Sequence, residues 1–216
     1  MSEPRTTAKR IHRVLPDVWR WHVADDRIGG SESDAYAVVE EGRVVLIDPL
    51  PVDEVPLKGL GQIEAIVLTA SCHQRSSWRF RRAFSVPVYA PESAQGLDEE
   101  PDHSYTGGDL LPGGLIAFHA PGPTEAMYVL WKSRPVSVVF LADVLMHDGS
   151  GVPGFVPGEY QDEPGRTRAS VRRILADLPV TALCFEHGPP ILEGARQALT
   201  RALEEDSEMP AQPPQA

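Results

Sequence analysis

Short runs of apolar and β-branched residues, separated by polar or glycine-containing turns, fill the first half of the chain. Runs at 18–22, 35–40 and 44–47 predict an antiparallel meander, because such runs between turn residues are typical of neighbouring β-strands. Later apolar runs predict strands at 65–68, 88–90, 115–118, 127–131 and 136–141. The strands fall into two sets, which predicts two sheets.

Three segments carry apolar residues at the spacing of an amphipathic helix, namely 76–84, 166–178 and 195–203. The acidic stretch 98–109 and the glycine- and proline-rich stretch 149–165 predict loops. Strands that alternate with helices in two halves predict an α+β fold, a four-layer αββα sandwich of two mixed β-sheets flanked by helices.

One domain is expected over residues 11–203, since a chain of 216 residues can bury a substantial core. The polar segment 1–10 is expected to be flexible, and the acidic, proline-containing segment 204–216 is expected to form a disordered tail. No apolar run approaches the ~20 residues that span a bilayer, and no apolar signal core follows the first residues. We therefore expect a cytoplasmic protein.

Acidic residues outnumber basic ones, with 31 Asp and Glu against 20 Lys and Arg, for a net charge of −11. Such a charge repels phosphate backbones and anionic membranes, so neither nucleic acid nor a membrane is expected as a partner. The two cysteines do not make a disulfide framework. Cys184 is predicted to be a buried, small apolar residue, whereas Cys72 lies in a polar turn. The oligomeric state stays open.

The polar turn after the apolar run 65–68 has the most informative sequence in the chain, Thr69-Ala70-Ser71-Cys72-His73-Gln74-Arg75. A buried strand that runs into threonine and a polar turn resembles the frame of the His-x-His-x-Asp-His metal motif in the metallo-β-lactamase superfamily. In that frame the two leading histidines fall on Ala70 and Cys72. The aspartate and the last histidine fall on Gln74 and Arg75. Only Cys72 among these four binds zinc well.

Three later segments continue the resemblance in the same order. The stretch 116–124 resembles the strand before Pro-Gly-His-Thr, with Pro123 in place of the histidine. The stretch 138–143 resembles the strand that ends in the metal-bridging aspartate, here Asp143. The stretch 183–190 resembles the last strand and its His-Gly turn, with His187. Upstream, the hairpin 36–48 resembles the first hairpin, whose Ile-Asp-Pro turn braces the site. The resemblance covers about residues 14–203.

Members of the superfamily hold two metal ions between the sheets and use them to hydrolyse esters, amides or thioesters. Here one metal position would keep only Cys72 and Asp143, and the other only Asp143 and His187. Neither reaches the three protein ligands usual for catalytic zinc. The resemblance therefore implies a hydrolase-like fold with a degenerate metal motif, and no dinuclear centre is expected.

The favoured hypothesis is a non-catalytic or ligand-binding homologue without a cofactor, retained as a pocket for a small molecule or as an interaction scaffold. The alternative is a hydrolase of a small ester, thioester or lactone. It would use zinc or another single divalent metal on Cys72, Asp143 and His187, or Cys72 as a nucleophile with a histidine base. A third interpretation is a redox sensor in which Arg75 favours the Cys72 thiolate. The candidate pocket residues are Cys72, His73, Arg75, Asp143 and His187.

Two predictions concern the geometry of this pocket. The Arg75 guanidinium is predicted to pair with Asp143, since a buried carboxylate needs a counter-charge, and the alternative is that Arg75 turns outward to solvent. His73 directly follows Cys72, so the two side chains are expected to diverge on an extended turn and not to bind one ion together. Substitute ligands are less expected among the other loop histidines, His103, His119 and His147.

Overall fold

The β-branched and apolar runs form two mixed sheets within residues 3–208, the part of the chain that the computed structural model describes. The first sheet contains β1 (His12–Leu15), β2 (Val18–Asp25), β3 (Ser31–Glu40), β4 (Arg43–Ile47), β5 (Gln62–Val67), β6 (Val88–Pro91) and β7 (His103–Tyr105). The second contains β8 (Leu110–Leu111), β9 (Leu115–His119), β10 (Tyr128–Lys132), β11 (Val138–Phe140) and β12 (Ala182–Cys184).

The pairing of the strands brings several chain segments to one end of the sandwich. The first sheet has the order β1 to β7, antiparallel as far as β4 and parallel from β4 onward. The second has the order β12-β11-β10-β9-β8, in which only β11 and β12 are parallel. The residues that follow β5, β11 and β12 carry the candidate site, as ligands commonly bind outside the carboxyl ends of parallel strands.

Four α-helices lie within the described residues: α1 (Glu54–Lys58), α2 (Ser77–Phe84), α3 (Pro164–Asp177) and α4 (Ala195–Glu208). Helix α2 shows why these segments are helical. It buries Trp78 and Phe80, whereas Arg81 reaches Asp102 on the solvent side. The helix ends at Ser85, which adopts a left-handed conformation with φ 55°. No helix of the described chain is long and apolar enough to cross a membrane.

Three apolar layers separate the helices and sheets. One lies between α1, α2 and the first sheet and contains Trp21, Leu46, Ile66 and Phe80. A second lies between the sheets and contains Tyr36, Ile47, Leu130 and Phe140. The third lies between the second sheet, α3 and α4 and contains Val139, Ile174, Leu183 and Leu199. Burying each such large side chain stabilises the fold by about 1.5–3 kcal/mol. The four-layer αββα prediction is confirmed.

The two predicted loops have different outcomes. The acidic stretch 98–109 contains β7, because Tyr105 is buried and the ring of His103 packs on Tyr89 of the neighbouring strand. The prediction of a loop there was wrong for these three residues. The stretch 149–165 is a loop as far as the start of α3, interrupted by a single 3-10 turn, Gly158–Tyr160.

Both predicted terminal segments make contacts with the folded chain. In the segment 1–10, Ala8 donates its N–H to the carbonyl of Pro51 at 2.8 Å, and Glu3 accepts hydrogen bonds from Ser76 and Arg79. At the other end α4 runs to Glu208, past the boundary predicted at 203. Residues 209–216 of the predicted tail lie outside the described residues.

Candidate functional site

Three strand ends supply the site. Strand β5 leads through Thr69 into a 3-10 turn, Ser71–His73, which carries Cys72 and His73. Strand β11 leads to Asp143, and the preceding Ala142 has a left-handed φ of 51° that redirects the chain there. Strand β12 leads to His187. Cys72 and His73 therefore come from the first sheet, and Asp143 and His187 come from the second.

The carboxylate of Asp143 is the centre of the site. His73 Nε2 lies 3.0 Å from its Oδ2 atom, and His187 Nε2 lies 3.3 Å from its Oδ1 atom. The Sγ atom of Cys72 lies 3.9 Å from Oδ2. Asp143 and His187 are about one-fifth exposed and Cys72 is exposed, whereas His73 is buried. The site is therefore open to solvent on one side and backed by His73.

The Nδ1 atom of each of these two histidines lies within hydrogen-bond distance of an oxygen atom. His73 Nδ1 lies 2.8 Å from the hydroxyl of Thr69, and that hydroxyl donates to Asp48 at 2.5 Å. His187 Nδ1 lies 2.9 Å from the carbonyl oxygen of Glu32. A protonated Nδ1 donates to each of these oxygens, which directs Nε2 of both rings toward Asp143. Metal-binding histidines are commonly held in this way.

The three groups of this cluster favour their charged forms. Burial acts to lower the pKa of His73, but the charge of Asp143 outweighs it and holds that pKa well above the ordinary value. Burial also acts to lower the pKa of His187. The contact with Asp143 outweighs burial, so the pKa of His187 is raised. Burial acts to raise the pKa of Asp143, but the charge of His73 and the contact with His187 hold it well below the ordinary value.

The predicted ion pair between Arg75 and Asp143 was wrong. Arg75 Nη1 donates to Glu186 Oε2 at 2.5 Å and also to the carbonyl oxygens of Asp34 and Asp48, at 2.7 and 3.2 Å. Two histidines neutralise Asp143, whereas the guanidinium of Arg75 pairs with the buried carboxylate of Glu186. The outward alternative was also wrong, since the Arg75 side chain is 1% exposed.

Sequence reasoning overlooked Glu186 as a site residue. Burial raises the pKa of Glu186 to about 8, and the charge of Arg75 opposes that rise. The sequence held a signal, because Glu186 directly follows the apolar run Leu183-Cys184-Phe185. An acid at the end of a buried strand requires a cation beside it.

A second buried acid, Asp34, fastens the turn that carries His187. Its Oδ2 atom accepts a hydrogen bond from the N–H of Gly188 at 2.7 Å, and Arg20 Nε lies 2.5 Å from Oδ1. Burial raises the pKa of Asp34 to about 7 against the charge of Arg20. Gly188 has φ 106°, and a Cβ atom there would lie 1.6 Å from the carbonyl oxygen of His147. Only glycine fits this turn.

The remaining candidates lie apart from the cluster. His119 Nε2 is 2.8 Å from the carbonyl oxygen of Glu125, and His147 Nδ1 is 2.6 Å from that of Pro189. His103 packs on Tyr89 at the edge of the first sheet. Cys184 is fully buried, and burial raises the pKa of its thiol.

The donor atoms at Asp143 fit one metal ion. Ligand atoms of Cys72, His73 and Asp143 lie within 4.8 Å of one another, and thiolate, imidazole and carboxylate together suit zinc. The expected divergence of Cys72 and His73 was wrong, because the 3-10 turn brings both side chains to Asp143. His187 touches the same carboxylate from the second sheet. Four of the five predicted pocket residues thus meet, and Arg75 lies with Glu186.

Solved structures of several metallo-β-lactamases are similar to this chain. DIM-1 metallo-β-lactamase exposed to ceftazidime matches with a TM-score of 0.74 and 18% identity, over 94% of this chain and 99% of that one. A metallo-β-lactamase from Erythrobacter litoralis matches with 0.69 and 17%, over 94% and 96%. The B3 metallo-β-lactamase BLEG-1 matches with 0.62 and 21%, over 80% and 93%.

No protein-family model matches the chain, and no curated protein matches it in sequence. At these identities the structural likeness defines the fold. The chain has the metallo-β-lactamase fold, as the order of its sequence segments predicted.

Proposed function

We propose that the chain is a hydrolase of a small ester, thioester or lactone whose centre holds a single divalent metal ion on Cys72, His73 and Asp143. The observation that carries this proposal is the convergence of these three ligand atoms within 4.8 Å on the solvent-facing side of the fold. Three protein ligands are the number usual for catalytic zinc. This is the alternative raised by the sequence, with His73 in place of His187 among the ligands.

A divalent ion held there would supply Lewis acidity to a carbonyl group and to water. The protein contributes the orientation of the ligands. Thr69 and Asp48 fix the ring of His73, and the carbonyl of Glu32 fixes that of His187. The contact with Asp143 raises the pKa of His187 against the effect of burial, which favours the protonated ring. The protonated ring of His187 would serve as the general acid for a departing alkoxide or thiolate.

A second candidate function is a metal-free, non-catalytic site for a small ligand, as the sequence favours. Its support is the pairing of Asp143 with two histidines, which neutralises the carboxylate without an ion. Ala70, Gln74 and Pro123 also carry no metal-binding group at the positions matched to ligands by resemblance. In both proposals the partner is a small molecule, and the net charge of −11 disfavours nucleic acid.

Elemental analysis of protein purified without chelator distinguishes the two functions. The first predicts a single zinc, manganese or iron ion per chain, lost in His73→Ala and weakened in Cys72→Ala. Matched controls are His119→Ala and Cys184→Ala, which remove the same groups away from the cluster. A panel of aryl esters, thioesters and lactones should show hydrolysis that chelator abolishes and zinc restores.

Metal-free wild-type protein that binds no added zinc would refute the single-ion centre. Hydrolysis that survives chelator but is lost in Cys72→Ala would instead assign Cys72 as the nucleophile. Protein with neither metal nor activity supports the non-catalytic function.

A further inference from the structure

A second group of potential ligands lies behind the site, fully enclosed in the protein. Ligand atoms of Asp48, His73 and Glu186 lie within 4.8 Å of one another, and all three residues are buried. His73 faces this group with Nδ1, 3.4 Å from Asp48 Oδ2, and faces Asp143 with Nε2. The two groups of ligands therefore share one imidazole.

Three oxygen atoms at the edge of this group, one of them from Asp34 outside it, converge on one nitrogen of Arg75. Its Nη1 lies 2.5 Å from Glu186 Oε2, 2.7 Å from the carbonyl oxygen of Asp34 and 3.2 Å from that of Asp48. One carboxylate and two backbone carbonyls around a single positive centre are the ligands that hard divalent cations prefer. We propose that this is a cation position and that the Arg75 guanidinium fills it as a built-in, non-exchangeable cation.

The charge and conformation of Arg75 support this assignment. Glu186 and Asp48 are both buried, and the one imidazole of His73 also faces Asp143, so the enclosed group needs a second positive charge. Arg75 supplies it from a left-handed backbone conformation with φ 38°, which is unfavourable for a residue with a side chain. The contacts of the guanidinium hold the residue in that conformation. Native protein should therefore bind no exchangeable ion at Glu186.

Manganese binding tests the proposal, because Mn²⁺ prefers oxygen ligands and gives an electron paramagnetic resonance signal. Arg75→Ala should bind one more Mn²⁺ per chain than wild type, and Arg75→Lys, which keeps the cation, should bind no more than wild type. The additional ion should be lost in Arg75→Ala/Glu186→Gln. Added guanidinium at low millimolar concentration should raise the melting temperature of Arg75→Ala and leave that of wild type unchanged.

Equal Mn²⁺ stoichiometry in folded Arg75→Ala and wild type would overturn the proposal. If Arg75→Ala does not fold unaided, its refolding from urea should depend on Mn²⁺ or guanidinium, and equal failure with chelator, Mn²⁺ and guanidinium would also overturn it. The readout is a difference between variant and wild type. It therefore stands or falls independently of the zinc content at Cys72, His73 and Asp143, which tests the proposed function.

Discussion

At the scale of single residues, His73 is the group on which both ligand clusters depend. Its Nε2 atom faces Asp143, and its Nδ1 atom faces Thr69 and Asp48. Thr69 is held in turn, since its N–H and its hydroxyl both donate to the Asp48 carboxylate, at 2.8 and 2.5 Å. Because the Thr69 hydroxyl donates its proton to Asp48, its oxygen can only accept a hydrogen bond from Nδ1 of His73. Thr69 sets the orientation of the ring.

Replacing Thr69 by valine should weaken zinc binding by about 10–100-fold, because Val keeps the shape of the side chain but removes the hydroxyl that holds His73. Competition with a chromophoric chelator measures the dissociation constant. Thr69→Ser, which keeps the hydroxyl, should bind zinc as wild type does. Zinc affinity in Thr69→Val that equals that of wild type would show that Asp48 alone orients the ring.

At the scale of elements, the sequence determined the strands and helices better than the partners of charged side chains. Periodicity predicted a helix at 166–178, and α3 spans Pro164–Asp177, because one apolar face is enough to define a helix. Strand β7 was missed, since three partly polar residues carry no such pattern. The partner of Arg75 was also missed. Pairing between Arg75 and Glu186 joins residues 111 positions apart, and only the packed sheets bring them together.

The last residue of β2, Asp25, has a carboxylate whose contribution to stability depends on pH. Asp25 accepts hydrogen bonds from Arg27 and Ser33. Burial acts to raise its pKa, but these hydrogen bonds and the charge of Arg27 lower it to about 2. A folded-state pKa below the unfolded value stabilises the protein above about pH 4, and this stabilisation is lost as the pH falls through about 2.

Asp25→Asn should therefore lower the free energy of unfolding at pH 7 by about 1–2 kcal/mol, allowing for the partly exposed Arg27. The difference from wild type should shrink as the pH approaches 2. Urea unfolding at pH 7, 4 and 2 measures it. Asp26→Asn alters an exposed neighbour and should have little effect. A difference that does not change with pH would assign the loss to packing and not to charge.

At the scale of the whole molecule, the two sheets are joined by hydrogen bonds at the end that carries the site. The hydroxyl of Tyr36 donates to the carbonyl of Phe185 at 2.7 Å and accepts from its N–H at 3.1 Å. The N–H of Asp34 donates to the carbonyl of Glu186 at 2.7 Å. The N–H of Tyr128 donates to the backbone carbonyl of Thr69 at 3.0 Å. These bonds fix the relative position of the strand ends that carry the residues of the candidate site.

Tyr36→Phe should lower the free energy of unfolding by about 1–3 kcal/mol, because it leaves the buried N–H and carbonyl of Phe185 without their partner. Urea unfolding measures the change. The matched control Tyr160→Phe removes an exposed hydroxyl and should be close to neutral, since Tyr160 is 69% exposed. Equal stability of Tyr36→Phe and wild type would show that water replaces the hydroxyl between the sheets.

The residues of the candidate site come from different sheets, and this has a mechanical consequence. Cys72 and His73 follow a strand of the first sheet, and Asp143 and His187 follow strands of the second sheet. A molecule or ion bound among these four residues would connect the two sheets. It would therefore slow amide hydrogen exchange in strands of both sheets.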